Sequence, residues 1–299
     1  MMPLSSQPSR SARAGSGCHC SPQADAPTRT VFATVADRNG APVPDLSPAS
    51  FTVKVGGKER QVVQVQPAAA PLRIAVIVDD NGTGLFRYGL GKFMEKLQGR
   101  AEFSISKVEG QTRKIVGYTA DGRELGMALG QLGARPETAD GGQLLEGIAD
   151  AARDFAKHPV PRAHIIALTV GGEEHSTLPA HHVLDELRKS GAALHVILVS
   201  RSALRSTVAV QRPSALLGEN LNLSEVLGEG PKQSGGSRGE IVATAGLVSG
   251  LQQLAQALLH NQYAVSYSQG AGEKRSDRIS VSSRVPGVTV LAPTRIPTK

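Results

Sequence analysis

The chain has 299 residues, 40% hydrophobic but only 3% aromatic and without Trp, so its core must be filled mainly by Val, Ile, Leu and Ala, which suit a parallel sheet buried on both faces. The formal net charge of +7 comes from scattered basic residues with no stacking aromatics between them, a pattern that excludes the usual nucleic-acid footprint. No apolar run approaches the roughly 18–20 residues that a membrane-crossing helix needs, so no transmembrane segment is expected.

Residues 1–29 are rich in Ser, Ala, Pro, Gly and Arg and read as a disordered tail with little apolar surface to bury. They contain no apolar h-region, so no secretory signal peptide is visible. Cys18 and Cys20 are separated only by His19, too close for an unstrained bridge and too few for a metal site of their own.

Residues 30–66 predict a small β unit. Strands are expected at 30–37, 51–55 and 61–66, with turns at Asn39-Gly40 and Gly56-Gly57. An Ala/Pro linker covers Pro67 to Pro71. The pattern then changes to alternating strand and helix. Arg73–Val78 and Ala163–Thr169 are apolar runs of the kind found in strands buried on both faces, as is Ala192–Val199. Helices are expected at 84–97, 124–132, 143–157, 179–189 and 247–259, and further strands at 101–108 and 113–119. Residues 201–239 are a Gly/Ser/Pro-bearing insertion with a short helix near 221–227, followed by a short strand at 240–243. The tail returns to β at 263–267, 278–282 and 288–291.

This order predicts an α/β doubly wound domain over 72–262, with a mostly parallel sheet and helices on both faces. The segments 30–66 and 263–299 flank it and are expected to join in a small β appendage. Ligands of such sheets bind outside the carboxyl ends of the strands, which places the loops 79–84 and 170–175 on the ligand edge.

Chemistry-bearing patterns are few. There is no Gly-x-Ser-x-Gly elbow and no phosphate-loop spacing. Glu173 and Glu174 form an acidic pair on an edge loop, although adjacent loop residues usually point apart. His181/Asp185 and His182/Glu186 have the spacing of helix-surface pairs. His164 and His195 fall in buried strands and are expected to be core histidines with local hydrogen bonds. Asp79 and Asn81 also suit a role as caps of the helix that follows them.

Three stretches carry a resemblance: Val78-Asp-Asp-Asn-Gly-Thr-Gly84, Asp140-Gly-Gly-Gln-Leu-Leu-Glu-Gly-Ile148 and Ile165-Ile-Ala-Leu-Thr-Val-Gly-Gly-Glu-Glu174. With the flanks 43–53 and 261–267, they resemble von Willebrand factor type A domain proteins, in particular a bacterial group with β segments before and after the domain. The resemblance implies an adhesion-like protein-binding module, not an enzyme, and an extracytoplasmic setting. It also implies a Mg²⁺ or Mn²⁺ site in which Asp79, Asn81 and Thr83 stand at the first-loop ligand positions. Asn81 and Thr83 replace serines there, Gln143 stands where a Thr is expected, and Val170 stands where an Asp is expected. The site is therefore degenerate, holding an ion weakly or not at all. The partner-binding edge would be formed by Asp79, Asp80, Asn81, Thr83, Gln143, Glu173 and Glu174. The alternative is a scaffold role in a larger envelope complex, with the β appendage as the contact.

Overall fold

The computed structural model describes residues 27–133, 142–171, 173–200, 221–269 and 276–298. Expectations for Cys18, Cys20, most of the N-terminal tail, Asp140 and the first half of the 201–239 insertion lie outside these residues.

The central element is β5 (Leu72–Asp79), whose apolar run lies between parallel neighbours on both sides. One neighbour is β6 (Ala101–Glu109), which turns back antiparallel into β7 (Gln111–Thr119) through Gly110 at φ 77°. On the other side β8 (Arg162–Thr169), β9 (Ala193–Val199) and β10 (Arg238–Ile241) add in parallel. The sheet order is β10-β9-β8-β5-β6-β7, which numbered from β5 is the 3-2-1-4-5-6 order of doubly wound sheets.

Helices cover both faces. α1 (Arg87–Lys96), α2 (Gly122–Gly130) and α6 (Gly246–His260) pack Leu90, Phe93, Leu125, Leu251 and Leu258 onto Ile74, Val76 and Ile166. α3 (Leu144–Lys157), α4 (Ala180–Ser190) and α5 (Leu221–Ser234) pack Ile148, Phe155, Val183 and Val226 onto the opposite face, against Ile77, Ile165 and Val196. Alternate residues of each central strand serve the two cores, which is why these strands read as unbroken apolar runs.

Among the described residues, two antiparallel sheets stand beside this one. One has the order β13-β1-β11-β4, built from β13 (Thr289–Leu291), β1 (Thr28–Ala36), β11 (Gln262–Ser268) and β4 (Val62–Pro67). The other joins β12 (Ile279–Ser283), β2 (Phe51–Val55) and β3 (Lys58–Arg60). They share a core of Val31, Phe51, Val53, Val265, Tyr267 and Ile279, so N-terminal and C-terminal segments build one appendage between them.

Several local expectations are corrected. α1 begins at Arg87 with Phe86 as its N-cap and no side-chain cap bond, so neither Asp79 nor Asn81 caps it. Asp185 and Glu186 form their ion pairs with Arg188 (2.9 Å) and Lys189 (2.8 Å), three residues on, and the expected His182 acts on Glu186 as an additional charge behind Lys189. α5 continues through Gly228, Gly230 and Pro231, which read as breakers in isolation. Packing overrides propensity there: a Cβ on Gly230 would lie 2.7 Å from Leu194 Cδ2, so glycine lets the helix approach β9.

Candidate functional site

The parallel register of β5 and β8 brings Asp79 opposite Thr169 at the carboxyl end of the sheet. Thr169, fully buried, donates from Oγ1 to Asp79 Oδ2 at 2.8 Å, and Gly171 N donates to that hydroxyl at 3.0 Å. Val170 N donates to Asp79 O at 3.0 Å. The first carboxylate of the edge is thus held by the strand end next to it.

The loop after Asp79 folds on itself. Asn81 (φ 52°) and Gly82 (φ 73°) are both left-handed, a conformation that Asn tolerates better than most residues. Gly82 N donates to Asp80 Oδ1 at 3.0 Å, and Thr83 donates to Asp80 O from Oγ1 at 2.8 Å and from N at 3.1 Å. Asp80 is only 6% exposed, and burial pushes its carboxyl above the usual range against the pull of the Gly82 and Gly84 amides. Its Oδ2 is buried without a hydrogen-bond partner among the described residues.

The second wall is the start of α3. Its N-cap is Gln143, whose side chain makes no cap bond and whose carbonyl accepts from Thr112 Oγ1 at 2.7 Å. The capping acceptor comes instead from the third loop. Glu174 Oε2 accepts from Leu144 N at 3.1 Å, and Oε1 accepts from Leu145 N at 3.4 Å and from Ser176 N at 3.2 Å. A carboxylate at a helix start satisfies orphan amides and meets the positive end of the helix dipole. Burial nevertheless pushes its carboxyl up to about 7, with the amides of Leu145 and Leu144 opposing and the charges of Glu146 and Asp79 adding to the rise.

Gly142 stitches these pieces together. Its N donates to Glu173 O at 2.9 Å and its carbonyl accepts from His175 N at 2.6 Å. A Cβ there would lie 2.3 Å from Val108 Cγ1, so any larger residue would have to displace the Val108 side chain of β6, and it would lie 3.8 Å from Asp79 Oδ1.

The structure therefore gathers Asp79, Gln143 and Glu174 around the α3 start and sets Asp80, Asn81 and Thr83 in the adjoining loop. Glu173 turns outward, its side chain 66% exposed and 3.5 Å from His175 Nε2, so the two glutamates part company. Thr169 and Gly142 escaped the sequence reading; the signal for Thr169 was its place at the end of a buried strand beside β5. Glu174 appeared there as half of an acidic pair, with no sign of its capping contact.

The donor set does not fit an octahedral ion site of the kind the resemblance implies. Mg²⁺ takes small oxygen ligands close to the ion. Here Val170, at the position where an Asp is expected, has no side-chain oxygen to offer an ion and lies in the apolar core, 1% exposed.

With a six-stranded sheet in this order, one antiparallel edge strand and helices on both faces, the domain has a doubly wound α/β fold. No protein-family model matches the chain, and no curated protein sequence does. Among solved structures it is similar to a von Willebrand factor type A protein from Catenulispora acidiphila, at 13% identity over 90% of this chain and 73% of that one, TM-score 0.47. It is similar to proximal thread matrix protein 1 from the mussel byssus, at 9% identity over 64% of this chain and 49% of that one, TM-score 0.46. A further likeness is to BatB from Bacteroides thetaiotaomicron, at 12% identity over 63% of this chain and 98% of that one, TM-score 0.44. The chain spans about half the length of the mussel protein.

Proposed function

We propose that the protein is a non-enzymatic interaction module that docks a protein partner at the carboxyl edge of its parallel sheet, through Asp79, Asp80, Asn81, Thr83, Gln143, Glu173 and Glu174. The observation that supports this reading is the convergence of Asp79 and Glu174 on the α3 start, at the place where open α/β sheets receive ligands. The hydroxyls in reach, Thr83 and Thr169, serve the backbone and Asp79 as structural donors. Contact at such an edge rests on loop shape and direct polar bonds. The groups that fit an edge rich in carboxylates are N–H donors and cations, the reverse of the acidic group a bound metal would take.

The partner is sought by cross-linking the full chain and identified by mass spectrometry, and its binding is then measured with purified components. Asp79→Ala is expected to weaken binding at least about tenfold, the order of a lost charged hydrogen bond at a contact centre. EDTA is expected to leave binding unchanged. A second reading, a scaffold component contacting an envelope complex through the appendage, is favoured by the edge strand β4, where Val63 is 44% exposed. Binding that survives Asp79→Ala but is lost in Val63→Lys would establish that reading in place of the first.

A further inference from the structure

At the opposite end of the parallel sheet, a cleft of about 600 Å³ opens between the first residues of β8 and β9 and the appendage strands β1 and β11. Arg162 begins β8 and Thr169 ends it, so the eight-residue strand sets cleft and carboxyl edge roughly 23 Å apart. The volume is that of a small-molecule site, and junctions between structural units are a preferred place for one.

The walls are of two kinds. Leu187, Ala264 and the half-buried Phe32, which pairs with Ala264 across β1 and β11, contribute apolar surface. The charged members are Arg29, Arg162, Arg188 and Arg295, and none of the described wall residues is Asp or Glu. Two carboxylates stand behind the wall: Asp277, 2.6 Å from Arg295 and 3.5 Å from Arg188, and Asp185, 2.9 Å from Arg188. Four guanidiniums against two carboxylates leave the cleft positive. Arg162 is committed to Gln262 Oε1 and to the carbonyls of Ala68, Ala70 and Leu258. Arg29 is held at one side by a single bond from Nη2 to Pro297 O, 2.8 Å, and Arg295 by its ion pair, so these two forks remain to meet a ligand.

We propose that this cleft binds an organic anion with an apolar body, its carboxylate or phosphate head between Arg29 and Arg295 and its body against Phe32, Ala264 and Leu187. An arginine fork matches either head group bidentately. The site is independent of the docking edge.

The test is calorimetric titration of the full chain with decanoate, decyl phosphate, decanol and inorganic phosphate, all below micellar concentrations. Decanoate or decyl phosphate is expected to bind at least about tenfold tighter than decanol and than inorganic phosphate. Preference between the two acids tells a carboxylate source from a phosphate source. The double variant Arg29→Gln/Arg295→Gln is expected to erase the preference over decanol. Ala69→Trp, an exposed wall residue that leaves every arginine in place, is expected to weaken both acids by at least about tenfold while the melting temperature stays unchanged. Equal binding of decanol and decanoate, binding of inorganic phosphate alone, no binding of any probe, or acid binding untouched in both variants overturns the proposal.

Discussion

Two groups of buried titratable residues pull stability in opposite directions as pH changes. Glu174 has its carboxyl raised by burial to about 7 from 4.5. The folded state then holds more protons than the unfolded chain between those values, so the contribution is fully present below about 4.5 and is lost as pH rises through about 7. His164 and His195 act the other way. They share a hydrogen bond of 3.1 Å from Nδ1 to Nε2, and His195 Nδ1 meets Ser237 Oγ at 2.9 Å. Burial holds both imidazoles neutral, His195 down at about 4 and His164 well below 6.5, where the His195 and Arg162 charges add to the effect. Their contribution is present above 6.5 and is lost as pH falls through the folded values. Melting curves from pH 4 to 8 test this: Glu174→Gln should lessen the fall in melting temperature between pH 5 and pH 8, and His195→Asn should lessen the fall on the acid side. A Glu174→Gln profile parallel to that of the parent would mean that Glu174 titrates normally.

At the scale of the element, the sheet edge at β9 and β10 depends on how closely the chain after α5 approaches it. Gly236 N donates to Pro231 O at 2.9 Å, closing the end of α5, and a Cβ on Gly236 would lie 1.8 Å from Leu194 O. No rotamer relieves a clash between a Cβ and a backbone carbonyl, so the chain itself must shift. Gly236→Ala is expected to cost about 1–3 kcal/mol, the range of overpacked sites. For a domain of this size that lowers the melting temperature by roughly 2–4 °C per kcal/mol. The solvent-exposed Gly239, with open space around it, is the matching control and should tolerate Ala far better. Equal melting temperatures for the two variants would place the close approach elsewhere.

Across the whole molecule, Arg162 fastens the α/β domain to the appendage. It is 5% exposed, and its fork joins the carbonyl end of α6 at Leu258, the linker carbonyls Ala68 and Ala70, and Gln262 at the start of β11. Burial, with the nearby Arg100 charge, lowers its guanidinium to about 10, so it stays charged at neutral pH and needs every one of those acceptors. Lysine cannot reproduce a planar fork. Arg162→Lys is therefore expected to cost about 3–5 kcal/mol, the scale of a broken buried charge network. In urea the transition should split, the appendage and the α/β domain unfolding apart. A single transition at the parent midpoint would show that the two parts are held by their apolar contacts alone.

The sequence by itself determined the alternation of strands and helices, because β5, β8 and β9 are buried on both faces and such burial writes unbroken apolar runs. It also placed Asp79 and the loop after it at the carboxyl edge, since chain direction in a parallel sheet fixes which end a loop occupies. Only the tertiary structure decided what those residues touch. The Asp79–Thr169 bond spans 90 positions and the Leu144–Glu174 bond 30, and no local pattern encodes contacts made by strand register and helix placement. The same holds for α5, where the close fit against Leu194 carries a helix through residues that would end it in isolation. The arginine cleft is the clearest case: Arg29, Arg162, Arg188 and Arg295 are scattered along the chain, and folding alone makes their charge local.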